Sequence, residues 1–190
     1  MWFDGSVLLL LKARPHVVRV SSTPTLDYMV GDATDAYPRN IGLHYYVRHL
    51  LFLKPDVLIV VDDVALGWSQ PLESRFHPQQ TQVTQEDGGY IIRGPGAKRA
   101  SLRMELLTPQ GVGVTYEDVV SPDSGSGPLS KMFTFRLTTD RAQWRNVVAF
   151  SWAAGDAKPP KVTMQVQGDT WQFTAGGRTV ALNWNVSPSK

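Results

Sequence analysis

The stretch RHLLFLKPDVLIVVDDV, residues 48–64, decides how the rest of the sequence is interpreted. Two apolar runs of strand length stand on either side of Lys54-Pro55-Asp56. Proline and aspartate favour a chain reversal, so this segment predicts an antiparallel β-hairpin. Asp62 and Asp63 follow where further apolar residues would be expected, and they raise the question of a functional site.

The two aspartates belong to different faces of the predicted hairpin. With the reversal at Pro55-Asp56, outward pairing sets His49 opposite Asp62 and Arg48 opposite Asp63. Neighbouring strand residues point to opposite faces, so the two acids do not make one carboxylate pair. We interpret them as ionic partners of the basic residues across the hairpin. The predicted structural polar cluster consists of Asp32, Arg48, His49, Asp62 and Asp63.

Nearly the whole chain has the character of β-structure. Apolar and polar residues alternate in KMFTFRLTT (131–139) and KVTMQVQ (161–167), and glycine-rich turn signals separate such segments. We predict an all-β fold, a large antiparallel β-sandwich that forms a single domain over residues 1–190. The candidate strands are 6–11, 16–21, 27–31, 43–53, 57–65, 72–77, 80–86, 89–93, 99–107, 112–117, 131–138, 144–152, 161–167, 169–174 and 178–184.

Composition excludes several classes of protein. The net charge is +2 and the basic residues are scattered, so we expect no nucleic-acid partner. The absence of cysteine excludes disulfides and thiolate metal sites. Lys54-Pro55-Asp56 breaks the longest apolar stretch, so no membrane-spanning helix is expected. The run Val7–Leu11 is too short for a signal peptide, and a strand-like beginning favours a piece of a longer protein.

A metal site requires a third ligand beside the hairpin. His77 lies in the next predicted strand, and the set His49, Asp62 and His77 suits zinc chemically. A calcium loop at GDATDAYP (31–38) lacks enough oxygen ligands. We expect no cofactor and keep the zinc set as the weaker alternative.

Three segments carry a family resemblance. DYMVGDATDAYP (27–38), YYVRHLLFLKPDVLIVVDDV (45–64) and ESRFHPQ (73–79) together resemble the C-terminal β-sheet region of heparinase II/III-like proteins. These are polysaccharide lyases and relatives that degrade glycans containing uronic acid. The resemblance is specific over residues 27–79.

The resemblance implies a scaffold rather than an active site. In the family, catalytic and metal residues come from a helical toroid and from H-x-H and His-Asn motifs early in the sheet region. The chain contains neither motif, so no catalytic or metal residue is carried over. The residues that match family-typical positions are Asp32, Arg48, Asp62, Asp63 and His77, and we interpret them as framework residues.

From this we expect the distal β-sandwich domain of a heparinase II/III-like lyase, the C-terminal part of a longer architecture. It would pack beside a helical-toroid catalytic domain, in cis or in trans, and be inactive alone. An acidic polysaccharide is the expected ligand, with Trp68, Arg75 and His77 as substrate-binding residues. The family implies a periplasmic or secreted location.

The sequence is also compatible with two other functions. A free-standing carbohydrate-binding module would use exposed aromatic rings, and Trp68 in a predicted loop is the best candidate. A structural or assembly domain would form a homodimer through exposed edge strands. The sequence leaves open whether the chain is an enzyme.

Overall fold

A computed structural model describes residues 14–70, 72–76, 78, 82–94, 96, 99–107, 112–119, 130–137 and 142–184. In these residues the regular structure is fourteen β-strands and two single-turn 3₁₀ helices, Thr34–Ala36 and Arg39–Ile41. The strands are β1 His16–Ser22, β2 Leu26–Asp32, β3 Leu43–Leu53, β4 Val57–Leu66, β5 Leu72–Phe76, β6 Gln82–Glu86, β7 Gly89–Arg93, β8 Ala100–Leu106, β9 Val112–Val119, β10 Ser130–Leu137, β11 Gln143–Ala154, β12 Val162–Gln167, β13 Thr170–Ala175 and β14 Arg178–Asn183.

The strands form three antiparallel sheets. The large sheet has the order β1-β2-β3-β4-β11-β8-β7-β6, and two three-stranded sheets have the orders β5-β10-β9 and β12-β13-β14. The prediction of an all-β antiparallel sandwich is confirmed. The predicted strand 6–11 lies outside the described residues. No helix in the described part of the chain is long and apolar enough to cross a membrane.

One face of the large sheet, here called the front face, packs against β12–β14. Odd-numbered residues of β3, β4 and β11 point to this face because side chains alternate along a strand. They meet Trp171 and Phe173 of β13, and Phe173 is fully buried. The members from the large sheet are Leu51, Leu53, Val57, Ile59, Val61, Val147 and Ala149.

The opposite face, here called the back face, holds a smaller core. Ile92, Met104 and Val148 are buried there. Phe76 of β5 packs edge-on against Phe150 of β11, with ring centroids 5.0 Å apart. The β5-β10-β9 sheet therefore contacts the large sheet on the side away from β12–β14.

The predicted register of the β3–β4 hairpin is wrong by one residue. Leu53 is the partner of Val57, so the connection has three residues, Lys54-Pro55-Asp56, rather than two. The shift sets Arg48 opposite Asp62. It sets His49 opposite Val61, so the predicted pairs Arg48–Asp63 and His49–Asp62 do not form across the hairpin.

Candidate functional site

Charged and aromatic side chains gather at one end of the large sheet, where β3 begins, β4 ends and β11 begins. On the back face, Arg48 Nε lies 2.6 Å from Asp62 Oδ1, and Nη2 lies 2.9 Å from Oδ2. Arg48 Nη2 also donates to the Tyr46 hydroxyl at 2.7 Å. The Tyr37 ring packs against Tyr46 with centroids 5.7 Å apart. We call Tyr37, Tyr46, Arg48 and Asp62 the back cluster.

A second group occupies the front face at the same end. Arg145 Nε lies 3.3 Å from Asp63 Oδ1, and the Tyr45 hydroxyl donates to the same oxygen at 3.4 Å. The Gln143 amide donates to the Tyr45 hydroxyl. Asp62 and Asp63 thus have separate cationic partners on separate faces, as the alternation of strand side chains predicts.

His49 extends this front group towards the β12–β14 sheet. Its Nδ1 lies 2.8 Å from the Tyr28 hydroxyl, and its ring meets Trp184 edge-on at 5.1 Å. The Arg145 guanidinium lies over the Trp184 ring, 4.0 Å from the centroid. Burial, with the nearby Arg145 charge, lowers the pKa of His49 to about 4. His49 is therefore a neutral imidazole at neutral pH. We call Tyr28, Tyr45, His49, Asp63, Gln143, Arg145 and Trp184 the front cluster.

The tyrosines of both clusters are held in the protonated state. Burial raises the pKa of Tyr28, and it also raises the pKa of Tyr37. For Tyr45 and Tyr46, burial and then a neighbouring aspartate raise the pKa. A general base works best when its pKa lies near the working pH, and a raised tyrosine pKa is further from that range. These hydroxyls are suited to donating hydrogen bonds rather than to removing a proton.

Asp32 does not join either cluster through the contacts of its side chain. Its Oδ1 accepts the backbone N–H of Thr34 at 2.8 Å, which closes the turn after β2. Thr34 in turn accepts the Tyr46 N–H through its hydroxyl at 2.9 Å. Asp32 therefore acts on the clusters indirectly, by fixing the turn that carries Tyr37.

Of the predicted substrate-binding residues, Trp68 and Arg75 lie on separate elements. Trp68 follows β4 and is 53% exposed. Its ring packs over Gly42, where an added Cβ would lie 2.4 Å from the ring atoms. Arg75 is partly buried on β5, opposite Thr134 of β10. His77 lies outside the described residues.

The weaker zinc alternative includes His77, which lies outside the described residues, so only His49 and Asp62 can be located. Asp62 points to the back face and His49 to the front face, so these two side chains do not face a common ion. No group of three histidine or acidic side chains that could hold a metal ion occurs in the part of the chain that the structure describes.

Sequence reasoning missed Arg145, which binds Asp63 and covers Trp184. A signal for it was present. Arg145 lies two and four residues before Val147 and Ala149, so in a strand all three side chains point to the same face. Arg145 is therefore a charged residue on the face that the apolar residues assign to the core. A charge in that position indicates a partner within the fold, because a lone buried charge is costly. The identity of the partner depends on strand order, which local patterns do not give.

These observations define a three-sheet antiparallel β-domain with two braced polar clusters at one end. No protein-family profile matches the sequence. No curated protein matches it either.

Solved structures share this fold at low sequence identity. Heparan sulfate lyase HepC from Pedobacter heparinus superposes with a TM-score of 0.71 and 13% identity, over 90% of this chain and 28% of that one. The heparinase III gene product BT4657 gives a TM-score of 0.73 and 11% identity, over 90% and 27% of the two chains. A further heparinase III structure gives a TM-score of 0.61 and 9% identity, over 88% and 27%. The chain thus spans little more than a quarter of the length of these lyases, and its fold is the one found in that quarter.

Proposed function

We propose that this chain is the distal β-sandwich domain of a heparinase II/III-like polysaccharide lyase, and that it is a scaffold without lyase activity of its own. The observation that carries the proposal is the similarity of fold over 90% of the chain to heparinase III structures at TM-scores of 0.71 and 0.73. The family resemblance of the sequence of residues 27–79 supports the same assignment.

The chemistry of the two clusters supports a scaffold. Arg48 and Arg145 are each engaged by an aspartate, and the tyrosines have raised pKa values. An eliminating site instead needs a proton acceptor beside a group that neutralises the substrate carboxylate. In the proposed architecture those groups belong to a helical catalytic domain that packs beside this one, in cis or in trans.

The expected ligand is an acidic polysaccharide that runs along the wall this domain provides. Trp68, with its exposed ring seated on Gly42, is the proposed contact to a sugar face. Arg75 and His77 are the proposed contacts to acidic groups.

The test separates catalysis from binding. The chain is incubated with heparan sulfate and with heparosan, and the absorbance of unsaturated uronate is followed. Binding is measured by retardation in gels that contain each glycan, with dextran gels as the control. We expect no increase in absorbance but retardation by the acidic glycans, and less retardation for Trp68→Ala. An increase in absorbance that depends on the presence of the chain would contradict the scaffold role.

The exposed Trp68 also favours a second function, that of a free-standing carbohydrate-binding module. The two functions differ in whether the affinity for glycans depends on a catalytic domain. A free-standing module binds short neutral or acidic glycans strongly by itself, whereas a wall of a lyase cleft gains affinity when the catalytic domain is added. A glycan array on the chain with and without an added helical catalytic domain distinguishes them.

Strand β1, which is the last strand of the large sheet in the described part of the chain, is the proposed surface for a homodimer. All seven of its residues are exposed, including Val17, Val18 and Val20. Exposed edge strands offer unpaired backbone groups to another chain. Light scattering across a concentration series measures this directly, and a constant monomer mass would exclude it.

A further inference from the structure

The back cluster presents an arginine whose direction is fixed. Two hydrogen bonds to Asp62 and one to Tyr46 use Nε and Nη2 of Arg48, and none of these bonds uses Nη1. The Arg48 side chain is 41% exposed, whereas that of Asp62 is 3% exposed. The buried carboxylate therefore holds the Nε and Nη2 side of a guanidinium whose side chain remains partly exposed.

An aromatic ring lies beside this arginine. Tyr37 is 37% exposed, and its inner side packs against Tyr46. The turn that carries it is fixed by the bond from the Tyr37 N–H to the Thr34 carbonyl and by the Asp32 bond to Thr34. Arg48 and Tyr37 share Tyr46 as a neighbour, because Arg48 Nη2 donates to the Tyr46 hydroxyl and the Tyr37 ring packs against the Tyr46 ring. The ring and the cation are thus neighbours, and both are held in place before any ligand binds.

This pair of features fits an acidic sugar. A planar guanidinium recognises a carboxylate or a sulfate by directed hydrogen bonds. An exposed tyrosine ring offers an apolar surface to the C–H groups of a pyranose, with little entropy lost on binding because it is already fixed. A neutral sugar would use the ring alone, and an inorganic anion would use the arginine alone.

We propose that Tyr37 and Arg48 form a binding subsite for one acidic sugar residue of a polysaccharide. The sugar ring lies against Tyr37, and its anionic group accepts hydrogen bonds from Arg48 Nη1. Asp62 and Tyr46 are positioning residues for Arg48. The choice of a glycan rather than another anion rests on the proposed function above.

The test measures binding by calorimetry with three oligosaccharides of equal length. Heparosan carries carboxylates only, an N-sulfated heparan sulfate oligosaccharide carries both anionic groups, and dextran carries neither. The variants are Tyr37→Ala, which removes the ring, and Arg48→Lys, which keeps a positive charge but loses the planar fork. Arg99→Lys is the matched control, because Arg99 forms an exposed ion pair with Asp156. Circular dichroism and thermal unfolding verify that each variant is folded.

We expect the wild-type chain to bind the acidic probes more tightly than dextran. Tyr37→Ala and Arg48→Lys should each weaken that binding at least tenfold, and Arg99→Lys should leave it unchanged. A loss on heparosan identifies the carboxylate as the recognised group, and a loss confined to the sulfated probe identifies the sulfate.

Two outcomes overturn the inference, and they differ in scope. Wild-type affinity in both folded variants would exclude this subsite while leaving glycan binding by the domain intact. Failure of the wild-type chain to bind either acidic probe would exclude both the subsite and the role of an acidic polysaccharide as ligand.

Discussion

The Arg48 guanidinium and the Asp62 carboxylate form a two-bond ion pair across the β3–β4 hairpin, with distances of 2.6 and 2.9 Å. The two partners are unequally buried, because the Arg48 side chain is 41% exposed and the Asp62 side chain only 3%. In such an ion pair, the loss of stability depends on which of the two partners is removed. Removing the aspartate leaves a guanidinium that is already partly hydrated, whereas removing the arginine leaves a carboxylate that the fold buries almost completely.

We therefore predict that Arg48→Gln is more destabilising than Asp62→Asn. The first change leaves a buried carboxylate without its guanidinium and should lower the free energy of unfolding by about 2–3 kcal/mol. The second leaves a partly hydrated arginine and should cost about 1 kcal/mol. Urea unfolding of the two variants measures both values. Equal losses of unfolding free energy in the two variants would contradict the unequal burial of the two partners.

Arg178 at the start of β14 connects the small sheet to the β3–β4 connection. It donates hydrogen bonds to the Leu53 and Lys54 carbonyls and to the Asp56 carboxylate. Arg178→Ala should lower the free energy of unfolding by about 1–2 kcal/mol, because two carbonyls and a carboxylate lose a shared donor.

Arg99→Ala is the control for that change. Arg99 pairs only at the surface with Asp156, and their side chains are 48% and 84% exposed. An exposed pair contributes little, so the control should lie within about 0.5 kcal/mol of the wild type. Similar losses for the two variants in thermal unfolding would argue against a specific role for Arg178.

Gly42 supports Trp68 through the absence of a side chain. Its φ is +72°, and a Cβ would lie 2.4 Å from the Trp68 ring. Gly42→Ala should cost about 1–2 kcal/mol for the left-handed backbone, and it should also displace the ring. The displacement is read from the indole N–H signal of Trp68 in NMR spectra, assigned by its loss in Trp68→Phe.

Gly88→Ala separates the two contributions. Gly88 has a φ of +78° and no atom within 4 Å of the added Cβ. It should show a similar backbone cost and leave the Trp68 signal in place. An unmoved Trp68 signal in Gly42→Ala would mean that the ring does not depend on this glycine.

The buried His49 predicts a pH dependence of stability. Its pKa is about 4 in the fold and 6.5 ordinarily, so the unfolded chain binds more protons between these values. The contribution of neutral His49 is complete above about pH 6.5 and declines as the pH falls to about 4. Relative to His49→Asn, the wild type should lose about 1–2 kcal/mol over this range, after allowance for partial solvation.

Asp63 acts in the opposite direction, because burial raises its pKa and the fold binds its proton more readily. This contribution is common to the wild type and His49→Asn, so the difference between their unfolding free energies isolates His49. Urea unfolding at intervals from pH 4 to 8 gives that difference. Parallel curves for the two proteins would contradict the role of His49.

The sequence predicted the strands better than their partners. The ranges 43–53 and 57–65 nearly coincide with β3 and β4, because long apolar runs with a Pro-Asp turn have few other interpretations. The register was wrong because loops of two and three residues fit the same turn residues. That one-residue shift changed the partner of Asp62 from His49 to Arg48.

Local sequence patterns do not predict the order of the strands or which residues meet in the two clusters. The pairing of β4 with β11 joins Asp63 to Arg145, which are distant in the sequence. Nothing near either residue specifies the other, since charge pairs carry no periodicity. Tyr37 and Trp184 also enter the clusters through turns that follow other elements, so their contacts depend on the assembled sheets.

The position of β11 in the large sheet bears on how the molecule is made. It lies between β4 and β8, although both of those strands precede it in the chain. The inner edges of β4 and β8 therefore have no partner strand on the nascent chain until residues 143–154 have been synthesised. Exposed strand edges can pair with other nascent chains and cause aggregation. Strand β11 removes both edges in one step, because it hydrogen-bonds to β4 on one side and to β8 on the other.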